Sequence, residues 1–219
     1  MMRKSTVVRE KSLRTQERIL EAAERLFADK GFSGASMRDI TSLAKVNLSV
    51  AYYYFKDKEA LLFAVFDRYV KPLMDKQLEM LERARKEAGT SPITPRRLLE
   101  AMILPRTESV SEVVHHLFTM LLARRGVFEQ RVFESIENAT KEIRERFFTE
   151  FSKTFPALSS VEVRFRIESV HAMLAGWTAI APFKKGAYPK DIKREDFFEM
   201  FMAMVLEMFS APPTLSQKA

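Results

Sequence analysis

Tyr52, Tyr53 and Tyr54 stand in a row in the stretch NLSVAYYYF, residues 47–55, and account for three of the five tyrosines in a chain of 219 residues. Asn47 is a good helix N-cap, and helix formers dominate from Lys58 to Lys71, so the row is predicted to lie on a short helix. Successive helical residues turn by about 100°, so three neighbours fan across roughly 200° and cannot all face one core. On the wheel Leu48, Ala51, Tyr52 and Phe55 share one side, expected to pack, while Ser49, Val50, Tyr53 and Tyr54 share the other, expected to be exposed. An uncharged face of this kind has the chemistry to touch a DNA groove. Serine and tyrosine hydroxyls reach base edges, valine meets a thymine methyl, and phenols at the margins reach phosphates. The alternative is an aromatic patch for protein contact.

The elements that must hold this row are legible on both sides of it. In TQERILEAAERLFADKGF, Ile19, Ala22, Ala23, Leu26 and Phe27 follow the helical i, i+3, i+4, i+7 rule. Gly31 is expected to end that helix in the left-handed conformation, with Phe32 folding back on Phe27. SMRDITSLA opens with a capping box, Ser36 and Asp39, and is expected to bury Met37, Ile40 and Ala44. The turn KVN leads into the tyrosine helix. Three short helices, the last two joined by a tight turn, predict a helix-turn-helix.

Beyond it the pattern stays helical, and the fold class is all-α: a three-helix DNA-binding domain followed by a larger helical domain. A long helix is predicted over 58–88, kinked or split at Pro72, with further helices over 95–104, 109–125, 129–155, 159–183 and 194–210, bounded by Pro105, Gly126, Pro156 and the KKGAYPKD loop. The expected domains are a basic arm at 1–14, the helix-turn-helix at 15–60, a larger helical domain at 61–210, and a tail at 211–219. In FFEMFMAMVLEMF, residues 197–209, only Glu199 and Glu207 are polar, and they lie about 80° apart around the axis. A helix so apolar needs cover on several sides. Its own domain and a second copy of the chain would supply it; central burial within one chain is the alternative.

Charge and composition narrow the function. The net charge is +7, and residues 1–58 carry 12 basic against 7 acidic side chains, so most of the excess sits in the first quarter. Arg3, Lys4, Arg9, Lys11 and Arg14 are opposed only by Glu10 among the first fifteen residues, which suggests a flexible arm drawn to a polyanion or a solvated basic tail. There is no cysteine, so disulfides and thiolate chemistry are excluded. No stretch is long and apolar enough to span a membrane and no leader core precedes the first helix, so a cytoplasmic protein without membrane contact is expected. His115 and His116 diverge on a helix and His171 stands alone, so no metal or other cofactor is expected. Neither a phosphate-binding glycine loop nor a serine nucleophile motif is present, and no enzymatic activity is expected.

The run RILEAAERLFADKGFSGASMRDITSLAKVNLSVAYYYFKDKEALL resembles the DNA-binding domain of the TetR family of transcriptional regulators over some 45 residues. The resemblance implies phosphate contacts by Tyr52, Tyr53 and Lys58, backbone contacts by Ser36 and Arg38, and bases faced by Leu48, Ser49 and Val50. Lys45 stands where a glycine is common, at a cost of roughly 1 kcal/mol if the turn needs positive φ, offset by a phosphate contact. Tyr54 stands where a histidine is frequent, so little pH sensitivity is expected of this helix. Lys45 and Tyr54 complete the candidate DNA-contacting set.

The resemblance also implies a homodimer whose larger domain binds a small apolar effector, and FPALSSVEVRFRIESVHAMLAG is similar to a segment of family members that respond to fatty acids or acyl-CoA. Residues 59–219 hold 15 of 18 phenylalanines and nine of 12 methionines, enough to line an apolar cavity or simply to fill a core. The candidate pocket residues are Phe118, Leu121, Phe147, Phe151, His171, Leu174 and Trp177. The candidate dimer residues are Arg166, Val170, Met173, Phe198, Phe201, Met202, Val205 and Phe209. The function expected is a ligand-responsive repressor released from a palindromic operator; a regulator controlled by a protein partner is the alternative.

Overall fold

A computed structural model describes residues 2–109, 127–180 and 193–214. Eight α-helices and no strand occur among them: α1 (Met2–Gly34), α2 (Met37–Ala44), α3 (Leu48–Tyr54), α4 (Lys58–Ala88), α5 (Pro95–Ser109), α6 (Val127–Thr154), α7 (Ser160–Ile180) and α8 (Arg194–Ser210). The helix expected over 109–125 and the KKGAYPKD loop lie outside the described residues. The chain divides into two compact units, one of residues 1–71 and 111–132, the other of residues 72–110 and 133–219. α4 and α6 each contribute to both, and the division along α4 falls between Lys71 and Pro72.

In the first unit the apolar stripe of α1 is buried as its spacing requires: Ile19, Ala23 and Phe27 are fully covered and Ala22 nearly so. Met37, Ile40 and Ala44 of α2, Ala51 and Phe55 at α3, and Leu61, Leu62, Val65 and Phe66 of α4 are buried too. Gly31 has φ 71° and ψ 170°, positive as expected but extended rather than left-handed helical; the regular helix breaks there, and a short helical turn beyond the kink runs on to Gly34. Phe32 does return to Phe27, ring centroids 5.7 Å apart. Residues 2–14 are not a separate flexible arm; they are the opening turns of α1. Tyr69 donates to Glu24 at 2.6 Å and Arg68 pairs with Glu17 and Glu24, tying α4 to α1.

Neither of two prolines expected to split or bound a helix ends one. Pro72 lies inside α4 and Pro105 inside α5, which runs to Ser109. A proline costs a helix one hydrogen bond and a steric clash, which a well-packed helix tolerates when its other turns are held. Here Leu98, Leu99, Met102 and Ile103 are buried just ahead of Pro105.

The core of the second unit draws on α4 (Leu81, Ala84), α5, α6 (Ile143, Phe147, Phe151), α7 (Val163, Ile167, Val170, Leu174) and α8 (Phe201, Met202, Val205, Phe209). Phe151, Phe155 and Phe209 form a ring cluster, with centroids 4.8 Å apart for Phe151–Phe209 and 5.0 Å for Phe155–Phe209. Buried Gln77 donates to the Met102 carbonyl at 2.7 Å, fastening α4 to α5.

Candidate nucleic-acid interface

α2 begins where the capping box requires. Asp39 N–H donates to Ser36 Oγ at 3.1 Å, and the Asp39 carboxylate accepts from Ser36 N–H at 3.1 Å and from its hydroxyl at 2.6 Å. These bonds hold the Asp39 carboxyl below its ordinary range. Ser36 and Arg38 are exposed at this end of α2. At the other end Lys45 adopts φ 53°, ψ 49°, the left-handed conformation that the turn demands, although it is not glycine. Arg18 of α1 braces the turn by donating to the Lys45 carbonyl at 3.0 Å and to the Ala44 carbonyl.

α3 then presents its row. Ala51 is completely buried and Phe55 nearly so, and these two anchor the helix. Ser49 is exposed, Val50 and Leu48 are half-buried, and Tyr53 is 82% exposed. Two residues depart from the wheel. Tyr52, expected to pack, is 48% exposed, because a helix of seven residues buries only a narrow strip centred on Ala51. Tyr54, expected to be exposed, is half-buried: its hydroxyl lies 3.0 Å from Ser12 Oγ of α1 and its ring meets Tyr53 edge-on at 5.1 Å. Asn47 occupies the N-cap backbone position without a side-chain cap bond, leaving its amide free for other contacts.

Lys58 is committed inside the unit. Its ammonium donates to the Phe32 carbonyl at 2.8 Å and the Ala35 carbonyl at 2.9 Å, and it lies 4.3 Å from the Phe32 ring centroid. Partial burial lowers its pKa. The implied phosphate contact would have to use its one remaining N–H. The opening turns of α1 add a wall that periodicity alone does not reveal: an open groove of about 750 Å³ runs between them and the α2–α3 turn, lined among others by Lys11, Ser12, Thr15, Ser42, Lys45, Asn47 and Val50.

In the second unit the candidate pocket residues Phe147, Phe151 and Leu174 are core residues packed on their neighbours. His171 lies 4.0 Å from Glu168, and burial keeps its pKa well below the ordinary value. Phe118, Leu121, His115 and His116, and the side chain of Trp177, lie outside the described residues.

Of the candidate dimer residues, Val170, Phe201, Met202, Val205 and Phe209 are buried within the unit itself, and Met173 and Phe198 pack partly against the same core. Arg166 is buried as well, donating to the carbonyls of Met208 (2.7 Å), Phe209 (3.1 Å), Ala211 (2.9 Å) and Pro212 (3.3 Å) at the end of α8. These residues do not form an exposed face. Among the described residues, the large outward apolar side chains of the two helices are Val161 (63% exposed) and Phe165 (72%) on α7, and Met200 (53%) and Met204 (49%) on α8. The i, i+4 spacing of each pair was the available signal, hidden by the near-uniform hydrophobicity of both segments.

Residues 19–65 match the family described as bacterial regulatory proteins, tetR family. The HTH-type transcriptional repressor NicS of Pseudomonas putida (strain KT2440) is 40% identical over 65 residues, 30% of this chain and 31% of that protein. The chain thus spans about a third of the length of that relative. A transcriptional regulator of the TerR/AcrR family from Aquifex aeolicus VF5 has a similar fold, with a TM-score of 0.58 and 26% identity over 90% of this chain and 98% of that one. The fatty acid degradation regulator FadR from Bacillus halodurans, at 14% identity and a TM-score of 0.58 over 90% of this chain and 93% of that one, shares the fold. Residues 19–65 thus carry the helix-turn-helix of the tetR family of bacterial regulatory proteins, ahead of a second helical unit.

Proposed function

We propose that the chain is a transcriptional regulator that binds a palindromic operator as a homodimer in the cytoplasm and is released by a small, largely apolar effector held in its second unit. The observation that carries the DNA reading is the uncharged, outward row of Ser49, Tyr52 and Tyr53 on the second helix of a helix-turn-helix, with Arg38, Ser36 and Lys45 exposed around it. Ser49, Val50 and Tyr53 read bases in this scheme. Arg38, Lys45 and Tyr52 hold phosphates, and Leu48 supports the packed edge.

Val161, Phe165, Met200 and Met204 favour self-association, since a second copy covers the same apolar residues symmetrically. A dimer sets two recognition helices about 34 Å apart, one helical turn of DNA. α4 contributes to both units, so an effector that shifts it changes that spacing and loosens both half-sites together.

Binding of the purified protein to DNA from upstream of its own coding region, by anisotropy across a salt series and against a scrambled duplex, tests the reading. Preference for its own DNA with a steep salt slope, lost in Tyr53→Ala, is expected. Equal weak binding to both duplexes by the native chain, and no change in Tyr53→Ala, overturns it.

A further inference from the structure

The second unit holds a guanidinium that has no ion-pair partner of its own among the described residues. Arg106 stands in the last turn of α5, and its Nε is buried without a hydrogen-bond partner. Two other arginines also have a buried unpaired nitrogen, but each of those is held by carboxylates: Arg68 by Glu17 and Glu24, and Arg85 by Glu150. Among the described residues Arg106 has no such ion pair.

The neighbouring charges do not supply one. Glu168 of α7 is within electrostatic reach, but it donates its charge to Arg144 of α6, 2.8 Å away, and Arg144 also meets Glu137 at 3.4 Å. His171, one turn along α7, is near both arginines, and burial together with their charge holds it neutral at pH 7. Burial also lowers the Arg106 pKa to about 10, so it stays charged at that pH. Residue Arg106 is half-buried overall while its Nε is buried, so the side chain is not wholly sealed in a core. An uncompensated buried cation is strongly disfavoured unless an anion completes it.

We propose that Arg106 is the anchor of an anion-binding site, and that the effector of this chain carries an acidic head group, carboxylate or phosphate, on an apolar body. Neutral His171 would donate or accept a hydrogen bond at the same head without adding charge, and Arg144, kept in place by Glu168 and Glu137, would supply a second positive charge nearby. The inference rests on the reading of the second unit as the effector-binding one, and deepens it by naming the chemistry that the effector must carry.

The test is thermal unfolding of the full-length protein without DNA, in the presence of dodecanoate, dodecyl phosphate or dodecanol at equal submicellar concentration. At least one of the two anions is expected to raise Tm while dodecanol does not; which anion wins identifies the head group. In Arg106→Met, which keeps length and helix propensity, the anion's affinity is expected to fall about tenfold or more, while the ligand-free protein melts no lower than the native chain because an unpaired buried charge has gone. An equal shift with dodecanol, an unshifted Tm with both anions, an undiminished response in Arg106→Met, or a lower Tm of that variant without ligand overturns the proposal. Because DNA is absent, failure to find an operator leaves this result standing. Operator binding with no anion response removes the site alone.

Discussion

Ser12 Oγ and Tyr54 Oη lie 3.0 Å apart, joining the opening turns of α1 to the last residue of α3. Gln16 Nε2, 3.4 Å from Ser12 Oγ, extends the link along α1. The basic start of the chain is thereby fixed to the recognition helix at one phenol. Ser12→Ala and Tyr54→Phe should each destabilise the first unit by about 0.5–1.5 kcal/mol, and the double variant should cost less than their sum. A double-mutant cycle by urea denaturation, with operator affinity measured on the same proteins, checks this; strictly additive losses would show that the two hydroxyls do not cooperate.

Lys45 combines an unfavourable backbone conformation with an exposed ammonium beside the groove. Lys45→Gly should stabilise the fold by about 0.5–1 kcal/mol, since glycine meets no Cβ penalty at φ 53°. If the ammonium holds a phosphate, operator binding should weaken and the slope of log K against log salt should fall by about one. Stability and affinity moving in opposite directions is the signature to look for in paired melting and anisotropy experiments.

Phe165 and Val205 separate self-association from folding. Phe165 is 72% exposed and Val205 is fully buried. Phe165→Glu should weaken the proposed dimer about a hundredfold or more with the helical content intact, whereas Val205→Glu should unfold the second unit. Sedimentation velocity and circular dichroism distinguish the two; a Phe165→Glu protein that stays dimeric would place the interface elsewhere.

His171 gives the stability curve a sign on its acid side. Burial first, then the charges of Arg106 and Arg144, hold its pKa below the ordinary 6.5, with Glu168 at 4.0 Å as the only opposing group among the described residues. Between the two pKa values the unfolded chain binds the proton and the folded chain does not. Stability is therefore unaffected above about pH 7 and falls as pH drops through 6.5 toward the folded value. His171→Gln should flatten this loss between about pH 6.5 and 5, measured as Tm against pH.

Pro72 marks the division of α4 between the units without breaking the helix. Pro72→Ala restores a backbone N–H and stiffens that point. Effector response should change more than DNA affinity in the absence of effector, read as the ratio of operator affinities with and without ligand. An unchanged ratio would remove α4 flexing from the mechanism.

The local elements were written in the sequence because they depend on local physics. The stripe from Ile19 to Phe27, the Ser36–Asp39 box, the Phe27–Phe32 contact and the bounds of α4 and α8 all follow from helical period and capping chemistry acting within a few residues. The positive φ of Lys45 was anticipated only as a condition, through the resemblance that places a glycine at that position. Sequence spacing could not decide which face of a nearly all-apolar helix looks inward, and so Val170, Met202 and Val205 were expected outside while Phe165 and Met204 went unnoticed. Nor could it foresee that α1 would reach Tyr54, that Lys58 would spend its donors on two carbonyls, or that Arg106 would find no carboxylate partner among the described residues. Each of these depends on which side chains meet across 20 to 60 residues of chain, and only tertiary packing determines those partners.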